Sequence, residues 1–229
     1  MKIKGFQKTT LLDFPSKVAC TVFTGGCNFR CPFCHNASLV LNPDIAPDFD
    51  IEEFFSYIKK RKNILDGVCI TGGEPLLHKD IIQFMERIRE IGLLIKLDTN
   101  GSNPKLLSEI IERDLVDYIA MDVKNSKDKY AKTCGLGAFP QGVSESIDMI
   151  MSCGADYEFR TTVVDELHTV QDIETLAEEI KGAKRYFIQS FTDSGELIES
   201  GYSSCSEEKL RQMLCAAQKY IPNAELRGV

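Results

Sequence analysis

Short runs dense in β-branched and apolar residues recur along the chain, and the intervals between them are amphipathic at helical spacing. Strands are predicted at Val18 to Phe23, Gly67 to Thr71, Leu93 to Thr99, Tyr118 to Val123, Tyr157 to Val164 and Tyr186 to Phe191. Helices are predicted over Ile51 to Lys62, Asp80 to Ile91, Pro104 to Arg113, Val143 to Cys153 and Asp172 to Lys181, with a last one, Ser206 to Tyr220, after the sixth strand. Asp50 with Glu53, Pro104 after Asn103, and Ser206 mark helix starts. The strands are almost continuously apolar, which suits parallel strands covered by helices. Six such β-then-α units fit either an open doubly wound sheet or a (β/α) barrel short of two of the usual eight units, and periodicity does not choose between them.

The unusual polar residues narrow the search for a site. Thr71 to Glu74, Asp98 to Asn100, Asp122 to Lys124 and Gln189 to Thr192 all fall at strand C-terminal ends, the face on which both folds assemble sites. Leu39 to Asp48, with two prolines, reads as an ordered loop or lid. No internal repeat or low-complexity tract interrupts the alternation.

With 229 residues and 43% hydrophobic content, the chain can bury a full core and reads as a single domain, 1–229. Its 34 acidic and 27 basic residues give a net charge of -7, which disfavours binding to a nucleic-acid backbone. The one basic run, Lys59 to Lys62, reads as a solvated helix end. Met1 to Thr10 lacks the apolar stretch of a signal peptide, and no run of about 18 uncharged apolar residues occurs, so a cytoplasmic protein with no membrane partner is expected. Nine cysteines, an odd number, cannot all pair within the chain. Cys20, Cys69, Cys134, Cys153, Cys205 and Cys215 are scattered singly and read as small buried hydrophobes.

The other three stand together, as Cys27-Asn-Phe-Arg-Cys31-Pro-Phe-Cys34, directly after the first predicted strand and after Gly25-Gly26. Ordinary clusters and structural zinc sites take four protein ligands, and no fourth stands nearby in sequence. Three thiolates on a [4Fe-4S] cube leave one iron open, as a cofactor with a chelating amine and carboxylate requires. The alternatives are zinc held by the three cysteines and His35, a strained fourth ligand so close to Cys34, or three thiols without metal.

The x3 then x2 spacing, the aromatic Phe33 before the third cysteine, and Thr71-Gly-Gly-Glu-Pro75 together resemble the radical S-adenosylmethionine superfamily. That resemblance implies an α/β fold, a partial (β/α)6 TIM-type barrel with the cluster loop after the first strand. Phe6 to Phe14, Thr21-Val-Phe23, Cys34-His-Asn36, Leu97-Asp-Thr-Asn-Gly101, Met121-Asp-Val-Lys124 and Glu225-Leu-Arg-Gly228 are similar to glycyl-radical-enzyme activating proteins. The likeness covers essentially the whole length and is greatest to the activators of anaerobic ribonucleoside-triphosphate reductase. It implies an anaerobic oxidoreductase that cleaves S-adenosylmethionine to a 5'-deoxyadenosyl radical, which takes hydrogen from a glycine of a partner glycyl radical enzyme. A flavodoxin or ferredoxin would supply the electron. Rival readings are a radical enzyme acting on a small molecule, such as a carboxy-deazaguanine synthase, and a non-catalytic zinc-binding module.

Around the cysteines, Gly72 and Gly73 permit close backbone approach, and Glu74 offers an acceptor to an ammonium group. The family places the methionine amino group of the cofactor at that turn. Asp98 and Asp122 end neighbouring strands, so their carboxylates need a cation or ammonium between them. By resemblance to the formate-lyase activating enzymes, Asp98, Thr99, Asp122 and the Ala120 carbonyl bind a monovalent cation, and Lys124 pairs with the cofactor carboxylate. Arg160, inside an apolar strand, either reaches a carboxylate or lies on a solvated face. Those enzymes carry a histidine against the adenine where Thr192 stands here, and Phe33, His35, Val164 and Gln189 are candidates for the adenine surroundings. His78 and His168 read as loop or cap residues, and Met149 and Met151 as packing.

Overall fold

The computed structural model describes residues 1–45, 47–193 and 195–229. One eight-stranded sheet runs in the order β1-β2-β3-β4-β5-β6-β7-β8. β1 (Ile3–Thr10) is antiparallel to β2 (Ala19–Thr24). From β2 onward every pairing is parallel, through β3 (Gly67–Gly72), β4 (Leu94–Thr99), β5 (Tyr118–Asp122), β6 (Asp156–Val163), β7 (Tyr186–Ser190) and β8 (Ala224–Arg227). The helices are α1 (Ala37–Leu41), α2 (Ile51–Arg61), α3 (Ile81–Ile91), α4 (Pro104–Glu112), α5 (Lys127–Thr133), α6 (Gly142–Ser152), α7 (Val170–Glu179) and α8 (Glu207–Gln218). β1 and β8 are the two ends of the order, so the sheet does not close on itself. The arrangement is that of a partial barrel.

All six predicted strands and all six predicted helices are present, with ends moved by a residue or two. The start signals act as expected: the side chain of Asp50 accepts from Glu52 N at 2.8 Å, Asn103 from Leu106 N at 3.2 Å, and Ser206 from Lys209 N at 3.2 Å. α7 opens on a reciprocal capping box between Thr169 and Asp172. Two strands were not predicted. β1, Ile-Lys-Gly-Phe-Gln-Lys-Thr-Thr, is a mostly polar edge strand whose buried residues are Ile3 and Thr10, and β8 is four residues long with only Ala224 buried. The cluster loop therefore follows the second strand of the sheet, which is the first of the parallel ones.

The loop or lid predicted from Leu39 to Asp48 is tied down. Its first residues belong to α1, Lys2 Nζ reaches Asp44 Oδ1 at 2.8 Å, and Phe49 just beyond bridges to Ile3. Position 46 lies outside the described residues. Apolar side chains of the central strands, among them Ile70, Leu97, Ile119 and Ile188, are wholly buried in one core. On the helical layer Phe54 of α2 stacks on Phe84 of α3 at 5.4 Å between ring centroids. The polar ends of the parallel strands are left to face one common space.

Candidate active site

That space is a cavity of about 430 Å³ at the C-terminal ends of β3 to β7. Residues from five successive strands and from the cluster loop line it together, which requires the sheet to curve around it. Cys27, Cys31 and Cys34 are all among the lining residues, and all nine cysteines are free thiols.

The cysteine loop is held at several points. Gly26, at φ +85, supplies the left-handed turn that starts it. Gly26 N donates to Leu39 O at 2.8 Å, and Cys34 N to Cys31 O at 3.0 Å. From far along the chain, Arg30 N donates to Cys134 O at 2.8 Å and Glu199 N to Pro32 O at 2.9 Å. Burial pushes the Cys27 thiol up to about 11 and raises Cys34 as well. Cys31 goes the other way and is lowered, because the neighbouring buried Cys134 thiol favours its thiolate more than burial opposes it. Among the described residues no three His, Cys, Asp or Glu side chains converge as they would on a single metal ion. Thiols spaced along a loop that wraps a cavity suit a cube whose irons are taken one by one. His35 does not complete a set with them; its ring lies against Phe191 at 5.4 Å.

The glycine-glycine-glutamate turn is packed directly on this loop. Gly72 is at φ +113, and a Cβ there would lie 2.4 Å from Thr24 N; at Gly73 a Cβ would lie 1.9 Å from Gly26 O. The contact is sealed by Gly73 N donating to Thr24 O at 2.9 Å, Glu74 N to Gly26 O at 2.8 Å and Asn36 Nδ2 to Gly72 O at 3.0 Å. Glu74 is 1% exposed. Its Oε1 accepts from Leu76 N at 3.0 Å and Thr99 Oγ1 at 2.7 Å, and Oε2 from Asn100 N at 2.7 Å. These donors are neutral, and burial pushes the carboxyl up to about 7. A buried carboxylate that lines a cavity and, among the described residues, has only neutral donors is a place for a ligand's ammonium group.

Across the cavity the charges are reversed. Arg160 of β6 reaches both strand-end carboxylates, with Nε to Asp122 Oδ1 at 2.9 Å and Nη1 to Asp98 Oδ2 at 3.2 Å. Lys124 Nζ meets Asp122 Oδ2 at 2.9 Å, and Lys96 Nζ bonds Asp98 Oδ1. Burial resists ionisation of Asp122, but Arg160 and Lys124 outweigh it and hold the carboxyl down at about 2. Asp98 is lowered in the same way by Arg160 and Lys96. Three cations thus serve two carboxylates, and Lys124, at the cavity wall, carries the surplus.

Of the remaining candidates, Phe33, His35, Gln189 and Thr192 line the cavity. Val164 does not: it is wholly buried behind the lining, and its backbone meets the His168 ring. His78 caps the short 3-10 turn Pro75–Leu77, its Nε2 3.0 Å from Gly25 O. His168 is buried between the Val164 and Lys124 backbones. The sequence reading missed roles for Asn36, Asn100, Lys96 and Cys134. Asn36 and Asn100 stand in motifs beside residues of stronger chemical signal, and both line the cavity; Asn100 Nδ2 lies 3.8 Å from Cys27 Sγ. Cys134 had no signal, because only the fold brings it to Cys31.

The geometry matches what comparison with known proteins shows. The sequence pattern of the radical SAM superfamily matches residues 21–180. A Methanocaldococcus jannaschii protein, an inferred glycyl-radical enzyme activating enzyme, is 32% identical over 99% of this chain and 96% of its own length. The pyruvate formate-lyase-activating enzyme of Clostridium pasteurianum is 26% identical over 80% of this chain and 77% of its own. Among solved structures, Streptococcus suis SuiB bound to its precursor peptide SuiA superposes with a TM-score of 0.71 at 15% identity, over 91% of this chain and 48% of SuiB. The chain belongs to the radical SAM superfamily, in the company of glycyl-radical enzyme activating enzymes. The family implies a [4Fe-4S] cluster and S-adenosylmethionine, and the three lining thiols beside an amine acceptor and a surplus ammonium fit both.

Proposed function

We propose that this protein activates anaerobic ribonucleoside-triphosphate reductase by abstracting hydrogen from a glycine of that partner, with a flavodoxin or ferredoxin as electron donor. The observation that carries the reading is the polarity of the cavity. Three thiols, a buried carboxylate with no cationic partner among the described residues (Glu74) and an ammonium (Lys124) line one space, complementary to the zwitterionic methionine end of S-adenosylmethionine beside an iron-sulfur cube.

When bound, the cluster and S-adenosylmethionine supply one-electron cleavage of the sulfonium to methionine and a 5'-deoxyadenosyl radical. The chain's own residues do the rest by holding and excluding. Cys27, Cys31 and Cys34 would hold the cluster by their thiolates, leaving it open to the cofactor. Glu74 and the Gly72–Gly73 backbone receive the amino group, and Lys124 orients the carboxylate. Arg160 fixes Asp98 and Asp122 so that Lys124 is held in place. Phe33, His35, Gln189 and Thr192 form the wall for the adenosyl group, and Phe33, packed on Phe191 at 6.4 Å, keeps that side dry. The unclosed sheet leaves a side through which a loop bearing the target glycine can enter.

The test is anaerobic incubation of reduced enzyme, S-adenosylmethionine and the reductase. A persistent glycyl radical on the partner is expected by electron paramagnetic resonance, and deuterium placed on the target glycine's α-carbon should appear in 5'-deoxyadenosine. Success only with a different glycyl radical enzyme replaces the partner. Cofactor cleavage triggered by a small molecule, with no radical on any such protein, overturns the activase reading.

A further inference from the structure

The residues that resemblance assigns to a monovalent cation do not fit one. Asp98 Oδ1 takes Lys96 Nζ, and Asp98 Oδ2 takes Arg160 Nη1 at 3.2 Å. Asp122 Oδ1 takes Arg160 Nε at 2.9 Å, and Asp122 Oδ2 takes Lys124 Nζ at 2.9 Å. All four carboxylate oxygens therefore face a cation that belongs to the chain. The third assigned ligand, Thr99 Oγ1, is turned the other way, donating to Glu74 Oε1 at 2.7 Å. A free cation would have to displace an ammonium or guanidinium of the chain to reach either carboxylate, which leaves the Ala120 carbonyl alone of the assigned ligands and without a counter-charge.

Lys96 is the residue that makes the difference. It stands two positions before Asp98 on β4, so the two side chains share a face of the sheet. Its side chain is 3% exposed, with Asp98 and Cys69 Sγ, at 3.8 Å, as its polar neighbours. It does not line the cavity. Burying a lysine is costly unless its charge is matched. Placed behind Asp98 and away from the cofactor space, this ammonium has one evident use, which is to neutralise that carboxylate from within.

We propose that Lys96 is a tethered substitute for the monovalent cation, so that the cofactor pocket is charge-complete without free K⁺ or Na⁺. The proposal rests on reading the cavity as the S-adenosylmethionine site. It requires no partner protein, so its failure and that of the activase reading are separable.

The test uses full-length, cluster-loaded protein in K⁺ buffer and in choline buffer of equal ionic strength, with two readouts: thermal midpoint and calorimetric affinity for S-adenosylmethionine. Wild type should show the same midpoint and, within about twofold, the same affinity in both buffers. Lys96→Met keeps the bulk and removes the charge. In choline its affinity should fall about tenfold and its midpoint by roughly 5 to 15 °C, and K⁺ or NH₄⁺ should restore both saturably. The double variant Lys96→Met with Asp98→Asn, which removes both charges, should lose the cation response. A saturable K⁺ response in wild type overturns the proposal, as does a folded Lys96→Met protein indifferent to K⁺ and NH₄⁺. Should Lys96→Met fail to fold, the wild-type titration and the double variant decide alone: indifference of both to K⁺ supports the tethered charge, and a K⁺ response in either overturns it.

Discussion

Cys31 is reached from behind by a cysteine that no spacing rule would pair with it. Cys134, the residue that follows α5, is fully buried, and its thiol acts on Cys31 by favouring the Cys31 thiolate. Hydrogen bonds to a cluster's sulfur ligands stabilise its reduced, more negative form. Cys134→Ala should therefore leave the iron content unchanged and lower the midpoint potential of the cluster; a potential equal to wild type would make the contact one of packing alone. Replacing Cys27, Cys31 or Cys34 with Ala should instead abolish both cluster incorporation and 5'-deoxyadenosine formation. Cys153→Ala and Cys215→Ala, at positions outside the cavity, should do neither. Lys124→Ala removes the surplus cation at the cavity wall. A hydrogen bond to a charged group contributes about 1.5–3 kcal/mol, so the dissociation constant for S-adenosylmethionine should rise about 10- to 150-fold. Binding as tight as wild type would leave Lys124 as a partner of Asp122 only.

At the scale of elements, the site depends on how closely two turns approach. Gly73 is the point of nearest contact between the β3 turn and the cluster loop, and its missing Cβ would fall on the Gly26 carbonyl. Gly73→Ala should thus push the two turns apart and cut iron incorporation, while far-ultraviolet circular dichroism stays that of the wild type. The sequence made these two turns legible because each advertises itself through residues of special conformation or chemistry. The parallel strands and long helices were legible for a different reason: burial on a fixed period leaves an apolar imprint. Where burial is slight the imprint fades. β1, β8 and the seven-residue α5, whose buried residues are Tyr130 and Thr133, left little trace. Pairings between side chains were less legible still. Arg160 was recognised as needing a carboxylate, but its simultaneous grip on Asp98 and Asp122 depends on the lateral register of β4, β5 and β6, in which Asp98 lies beside Ala120 and Asp122 beside Arg160. The Glu225-Leu-Arg-Gly228 motif, noticed only by resemblance, has a physical account once β8 is in place: Arg227 grips Glu158 with two bonds, at 2.8 and 2.9 Å.

That grip bears on the stability of the whole molecule. Glu158 is 1% exposed and also accepts from the Tyr118 hydroxyl at 2.7 Å. Burial resists its ionisation, but Arg227 and Tyr118 outweigh burial and set its pKa below the usual value. A carboxyl whose folded value is depressed stabilises the fold above its unfolded value of about 4.3, and that contribution is lost as pH falls through the lower folded value. The difference in urea midpoint between wild type and Glu158→Gln should therefore be widest near neutrality and shrink as pH drops below about 4. A gap independent of pH would show that shape, not charge, holds β6 to β8.

The order of the sheet, in which each strand lies beside the one made just before it, also bears on biosynthesis. A chain emerging from the ribosome can add each strand to a neighbour already in place. The cluster loop, though made early, waits for its clamps: Arg30 is tied to Cys134, and Pro32 to Glu199. Stable retention of iron is therefore expected only once these later segments are in place. Ribosome-stalled chains that end before α5 should carry the three thiols and retain no cluster, whereas chains stalled with residue 199 already exposed should retain it; iron held by the shorter chains would show that the loop organises itself unaided.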